Sequence, residues 1–101
     1  MIVWINGPFG VGKSTTSALL AAAWPQAIEF DPEILGYVLR RWQPDGLQID
    51  DFQDLSVWRC LVRETAAGLI RDFSRPLIVA MTLLNAEYFD EIIGGLRRDG
   101  A

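Results

Sequence analysis

Residues Gly7-Pro8-Phe9-Gly10-Val11-Gly12-Lys13-Ser14 match the pattern G-x-x-x-x-G-K-[ST]. Each residue type in that spacing has a chemical task. Gly7 and Gly12 allow backbone angles and close approaches that a Cβ forbids. A loop of this kind turns its N–H groups inward around phosphate oxygens, and a helix starting behind it adds the positive end of its dipole. Lys13 bridges the outer phosphates, and the Ser14 hydroxyl is a ligand for Mg²⁺. Gly7, Pro8, Phe9, Gly10, Val11, Gly12, Lys13, Ser14 and Thr15 are therefore the expected nucleotide-binding set, with ATP and Mg²⁺ as cofactors. Eight of the nine basic residues are Arg, and the one Lys of the chain occupies the lysine position of the motif.

A phosphate loop specifies a nucleoside triphosphate but no reaction. Phosphoryl transfer to a hydroxyl also needs a group that takes the proton and a site that holds the acceptor. The chain has no His, so a His base is excluded and a carboxylate is the natural choice. Asp31 is expected at the carboxyl end of the second strand, where ligands sit in open α/β sheets. It is the candidate for the hydroxyl proton and, with Ser14, for Mg²⁺. Before Pro32, it also reads as a helix N-cap, and the two roles are compatible. Glu33, Arg40, Arg59 and Thr82 are the candidate acceptor contacts. An arginine gives bidentate charge-assisted bonds, Glu33 suits a polyol, and Thr82 follows the third strand. Lys13, Asp31 and Arg59 form the candidate catalytic set. No acid ends the third strand, so the metal's carboxylate falls to Asp31 or to residues beyond this chain. The run Asp50-Asp51-Phe52-Gln53-Asp54 could be taken for a metal cluster, but at a helix start it reads first as capping.

The elements that must position these residues alternate between strand and helix. Met1 to Ile5 is a continuous apolar run, expected as a strand buried on both faces. Lys13 to about Ala23 is a helix, stopped by Trp24-Pro25. Ala27 to Phe30 is a second strand, and Glu33 to about Trp42 a second helix. Gln43-Pro44-Asp45-Gly46 is a turn. Asp50 or Asp51 is expected to cap one long helix to about Phe73, with Leu55, Trp58, Leu61, Val62, Ala66, Leu69, Ile70 and Phe73 on its apolar stripe. Arg59 and Arg63 share a face of it, and Cys60 is expected as a small core residue. Trp42 or Trp58 could line a substrate pocket. Leu77 to Met81 is a third buried strand, and Asn85 or Ala86 opens a last helix to about Arg98. The order β-α-β-α-α-β-α implies a parallel sheet covered on both faces.

Composition bounds the partners. The chain has 101 residues, 50% hydrophobic and 22% charged, with net charge −4. That acidic balance excludes duplex nucleic acid as the main partner, which requires a basic stripe. One cysteine excludes an internal disulfide. No apolar run approaches a membrane span and no basic leader opens the chain, so a cytoplasmic setting is expected, with peripheral membrane contact left open.

These residues resemble a known family. The stretch Ile2-Val3-Trp4-Ile5-Asn6-Gly7, Phe9-Gly10 before Gly12-Lys13, Asp31-Pro32-Glu33, Leu39-Arg40, Asp51-Phe52-Gln53, Val57-Trp58-Arg59, Val79-Ala80-Met81-Thr82 and Glu87-Tyr88-Phe89-Asp90-Glu91-Ile92-Ile93-Gly94 are similar to the tunicamycin-resistance ATP-binding proteins of the TmrB type, within the P-loop kinases of small molecules. The resemblance implies a P-loop NTPase fold: a three-layer αβα with strand order 2-3-1-4-5, of which strands 1–3 are present here. It implies ATP and Mg²⁺ binding, an acid at Asp31 and a substrate arginine at Arg59. It also implies a nucleoside-like or antibiotic acceptor. Members are about twice this long, so residues 1–101 are expected as the N-terminal part of one kinase-like domain. The later strands and the arginine-bearing lid have no counterpart. A three-strand sheet leaves an edge to be covered by further chain or by a second copy. The expected activity is phosphoryl transfer to a small-molecule hydroxyl. The alternatives are an ATP-binding protein that sequesters a drug without turnover, or an inactive truncated fragment.

Overall fold

The computed structural model describes residues 1–6, 13–47, 49–83 and 85–100, with residues 13–15 as backbone only. Gly7 to Gly12, expected as the phosphate loop, and the side chains of Lys13, Ser14 and Thr15 lie outside that description. Strand β1 is Ile2–Ile5, helix α1 Lys13–Ala23, strand β2 Ile28–Phe30 and helix α2 Pro32–Arg40. A one-turn 3-10 helix, Phe52–Asp54, precedes helix α3, Ser56–Phe73. Strand β3 is Leu77–Ala80. A last helical stretch follows, made of α4 (Ala86–Phe89), a π-helical turn (Asp90–Gly94) and α5 (Gly95–Arg98).

The three strands form one parallel sheet in the order β1-β3-β2. Ile2 pairs with Leu77 and Ile5 with Ala80, while Ile28 pairs with Leu77 and Phe30 with Val79. The centre position explains the apolar run of β3: Leu77, Ile78 and Val79 are wholly buried. Their side chains alternate between faces. Leu77 and Val79 join Phe30, Trp58, Val62, Ala66, Ile92 and Leu96 in the main core under α3 and the last helical stretch. Ile78 stands on the opposite face, where α1 packs over β3 and β2. Helices thus cover both faces of a small αβα sandwich.

Several expectations are corrected. β1 is half-buried along its length, not buried on both faces, because within the described residues it bonds to a neighbour on one side only. Helix α2 ends at Arg40, and Trp42 is exposed in the turn beyond it. The long third helix does not begin at Asp50 or Asp51. Asp51 caps the separate 3-10 turn through the Gln53 amide at 2.9 Å, and extended Leu55 interrupts the chain before α3. Cys60 is exposed, not in the core. It lies off the Trp58, Val62, Ala66 stripe that faces the sheet.

The Asp31 cap and Pro at the first helical position stand as expected, with the Asp31 carboxylate accepting from the Glu33 amide at 3.0 Å. Asn85 likewise caps α4 by accepting from the amides of Glu87 and Tyr88. Gly36 is where α2 presses on the 3-10 turn. A Cβ there would lie 2.5 Å from ring carbons of Phe52. Alanine's better helix propensity offers about 1 kcal/mol, whereas overpacking against an aromatic ring costs about 1–3 kcal/mol. Gly36→Ala is therefore expected to lower the urea midpoint of unfolding and displace Phe52, and an unchanged or higher midpoint would contradict that packing.

Candidate functional site

Because the strands are parallel and in level register, their carboxyl ends meet at one edge of the sheet. The residues that follow them are Asn6, Asp31 and the pair Met81-Thr82. Asn6 joins two of these exits. Its side-chain amide donates to the Leu83 carbonyl at 2.9 Å, and its carbonyl accepts from the Leu83 amide at 2.7 Å. The end of β1 is thereby fastened to the segment carrying Thr82. Nothing in the composition marks Asn6. Its signal is its place, between a buried strand and a glycine.

Two cavities open at this edge. The larger, of about 610 Å³, lies between α2, the 3-10 turn and the start of α4. Glu33, Arg40 and Thr82, three of the candidate acceptor contacts, line it together. Phe52 and Tyr37 meet edge to face there at 6.2 Å, and the Arg40 guanidinium lies over the Phe52 ring at 5.5 Å. Tyr37 donates its hydroxyl to Glu33 at 3.0 Å, and Tyr88 donates to Asp54 at 2.7 Å. Those hydrogen bonds to carboxylates are the main reason that both phenol pKa values are raised above 10.0. Both hydroxyls remain protonated donors at neutral pH. The Thr82 side chain is 4% exposed and its Oγ1 has no hydrogen-bond partner among the described residues.

The smaller cavity, of about 240 Å³, is walled by Ser17 of α1, Glu29, Asp31, Glu33 and the end of β3. Ser17 is one helical turn beyond Lys13, so this cavity adjoins the helix that opens at Lys13. Glu33 borders both cavities. Asp31 lines the α1 side, and one of its two carboxylate oxygens is engaged by the Glu33 amide. Among the described residues no group of three His, Cys, Asp or Glu converges as a metal cluster, the acidic run at Asp50–Asp54 included.

Arg59 is not at the wall of either cavity. It lies one layer behind the larger one. Its guanidinium pairs with Glu91 of the π-helical turn, donates to the Gln53 carbonyl at 2.6 Å and sits over the Tyr88 ring at 4.2 Å. Both neighbours of that ring stack, Gln53 and Tyr88, do line the cavity. Arg63, one turn on, makes a two-pronged pair with Asp99 at 3.0 and 3.1 Å. The shared face of the two arginines therefore clamps the last helical stretch. Trp58 is wholly buried behind Phe52, and Trp42 is 72% exposed, so neither lines the larger cavity.

Gln53 was not among the expected site residues. It is buried, and its amide donates to the Thr82 carbonyl at 2.6 Å. Its sequence signals are its place two residues after a capping Asp and its part in the Asp51-Phe52-Gln53 block of the resemblance. Tyr37 had a clearer one, standing four residues after Glu33 on the same helix, where side chains meet.

No family model matches the chain, and no curated protein matches it. Solved structures give a likeness over nearly the whole chain. The chain is similar to the tunicamycin resistance protein of Deinococcus radiodurans. The TM-score is 0.82 at 30% sequence identity, over 98% of this chain and 57% of the other. The resemblance to tunicamycin-resistance proteins drawn from local motifs thus holds for the fold as a whole. The chain spans a little over half the length of that neighbour. Among the described residues, no helix is long and apolar enough to cross a membrane.

Proposed function

We propose that the chain forms the nucleotide and acceptor side of a P-loop phosphotransferase that moves the γ-phosphoryl group of ATP to a hydroxyl of a small molecule, in a tunicamycin-resistance-like setting. The observation that carries this is the pair of adjoining cavities at the carboxyl ends of the strands, one against α1 and one among aromatic and polar side chains, with Glu33 between them. Phosphoryl transfer needs such a division, because the triphosphate and the acceptor must approach from opposite sides. In support, β1 ends before the G-x-x-x-x-G-K-[ST] residues and α1 begins at Lys13, a strand before and a helix after the motif.

The steps follow from placement. The loop amides, the α1 N-terminus and Lys13 hold the phosphates. Asp31 has a carboxylate oxygen uncommitted among the described residues and faces the α1-side cavity. That oxygen takes the acceptor's hydroxyl proton as the acceptor oxygen bonds to the γ-phosphorus. The bond from that phosphorus to the bridging oxygen breaks, and ADP leaves with the electron pair. The Ser14 hydroxyl and, through a retained water, the Asp31 carboxylate would hold Mg²⁺, a hard cation that prefers oxygen ligands. When bound, Mg²⁺ would supply charge neutralisation for the triphosphate. Arg59 serves as a positioning residue in this scheme, holding Gln53 and Tyr88 in the acceptor wall.

The test is incubation of the protein with ATP, Mg²⁺ and a panel of hydroxylated nucleosides and antibiotics, read by mass spectrometry for phosphorylated acceptor. Product is expected, and Asp31→Asn should slow it by roughly 10²–10⁴-fold, the usual range for a lost general base. Equal turnover in Asp31→Asn would remove that residue from the chemistry. Tight acceptor binding with no product would favour drug sequestration over transfer.

A further inference from the structure

The larger cavity carries an unbalanced charge. Among the described residues that line it, Glu33, Asp50, Asp51 and Asp54 are acidic and Arg40 alone is basic. Three of these acids have local tasks, with Tyr37, the Gln53 amide and Tyr88, but hydrogen bonding leaves their charge in place. The wall also holds a polar group with nothing to do. Thr82 Oγ1 is buried and has no partner among the described residues, on a residue held by the Gln53 amide through its backbone carbonyl. A buried hydroxyl without a partner is unfavourable in the empty protein, and a ligand hydroxyl or carbonyl at the wall would satisfy it. Phe52 and Tyr88 line the same cavity, and the Arg59 guanidinium covers one face of the Tyr88 ring.

We infer that this cavity takes an uncharged or cationic, hydroxyl-bearing ligand with a flat ring, that it rejects phosphorylated forms of the same ligand, and that the Thr82 hydroxyl is a direct contact. This rests on the reading of the cavity as the acceptor site, and on no assumption that transfer occurs. Like-charge repulsion at short range in a partly desolvated cavity sets the discrimination. A phosphate-bearing acceptor would bring up to two negative charges against a net excess of three. The product of phosphoryl transfer would meet the same repulsion, which favours its release.

The experiment is calorimetric titration of the protein, without ATP, with one scaffold in three charge states: uridine, 5′-amino-5′-deoxyuridine and uridine 5′-monophosphate. The nucleoside and its amine are expected to bind at least about tenfold more tightly than the monophosphate, and the gap should narrow as salt is raised. Thr82→Val should weaken uridine binding about tenfold with no loss of thermal stability, whereas Thr82→Ser should keep the affinity. Equal or tighter binding of the monophosphate, binding of none of the three, or unchanged uridine affinity in Thr82→Val would overturn the inference. Because ATP is absent, a failure here is separable from failure of phosphoryl transfer: product without charge selectivity sinks only this inference, and selectivity without product sinks only the transfer.

Discussion

Lys13→Ala is expected to lower the affinity for Mg²⁺·ATP by at least about a hundredfold while leaving the fold intact. Lys13 is the first residue of α1 and the one lysine of the chain. An ammonium that bridges two phosphates makes two or more charge-assisted hydrogen bonds, each contributing about 1.5–3 kcal/mol. Losing a total of about 3–5 kcal/mol corresponds to roughly 10²–10⁴-fold in the dissociation constant. Stability should move little, because alanine is the best helix former and position 13 opens the helix rather than packing its interior. The measurement is a titration with a fluorescent ATP analogue beside a thermal melt. Unchanged nucleotide affinity in a folded Lys13→Ala protein would end the P-loop assignment. A lost melt transition would instead show that Lys13 has a structural part, and Lys13→Arg, which keeps the charge but not the compact ammonium, would then separate charge from packing.

The parts of this molecule that were legible in its sequence are those governed by local rules. Asp31-Pro32 is a cap followed by a proline at the first helical position, and both are decided by neighbours within one turn. The burial of Leu77, Ile78 and Val79 follows from an unbroken apolar run, which only a central strand can hide on both sides. The Met1 to Ile5 run looked the same and behaves differently, because strand order decides burial and no local pattern encodes it. The start of α3 was misplaced for a related reason. Asp51 is a good cap, but a cap does not say whether the turn behind it continues, and here it closes after one 3-10 turn at extended Leu55.

The candidate site divides along the same line. Glu33, Arg40 and Thr82 were singled out separately for their chemistry and their place after strands or on α2, and they line one cavity. Arg59 was singled out on the same grounds. What moves it behind the wall is long-range: Glu91 lies 32 residues away and draws the guanidinium to the last helical stretch. Gln53 reaching the Thr82 carbonyl, and Asn6 reaching Leu83 across 77 residues, are likewise products of the sheet's topology. Such pairs are invisible to spacing, because spacing reports only what one helix or strand brings together. The resemblance to tunicamycin-resistance proteins supplied the strand order, with β3 between β1 and β2, but none of these pairs.

Trp58→Ala is expected to be the most destabilising single change among the described core residues, at about 3–5 kcal/mol. Trp58 has no exposed surface, packs at 5.1 Å on the Phe52 ring and donates its indole N–H to the Pro32 carbonyl at 3.0 Å. A domain of this size has roughly 5–15 kcal/mol of stability in all, so the variant would retain little margin. Trp58→Phe divides the effect. It keeps most of the ring volume and loses the indole hydrogen bond, so about 1–2 kcal/mol should go. That bond joins α3 to the first residue of α2, immediately after Asp31. Under the proposed phosphoryl transfer, loosening it should reach Asp31: Trp58→Phe is expected to lower turnover more than its modest loss of stability accounts for, while nucleotide affinity stays near that of the parent. Urea unfolding gives the first quantity and saturation kinetics with ATP the second. If Trp58→Phe unfolds as expected but turns over at the parental rate, the indole holds the core alone, and the placing of Asp31 must be assigned to its own cap on α2.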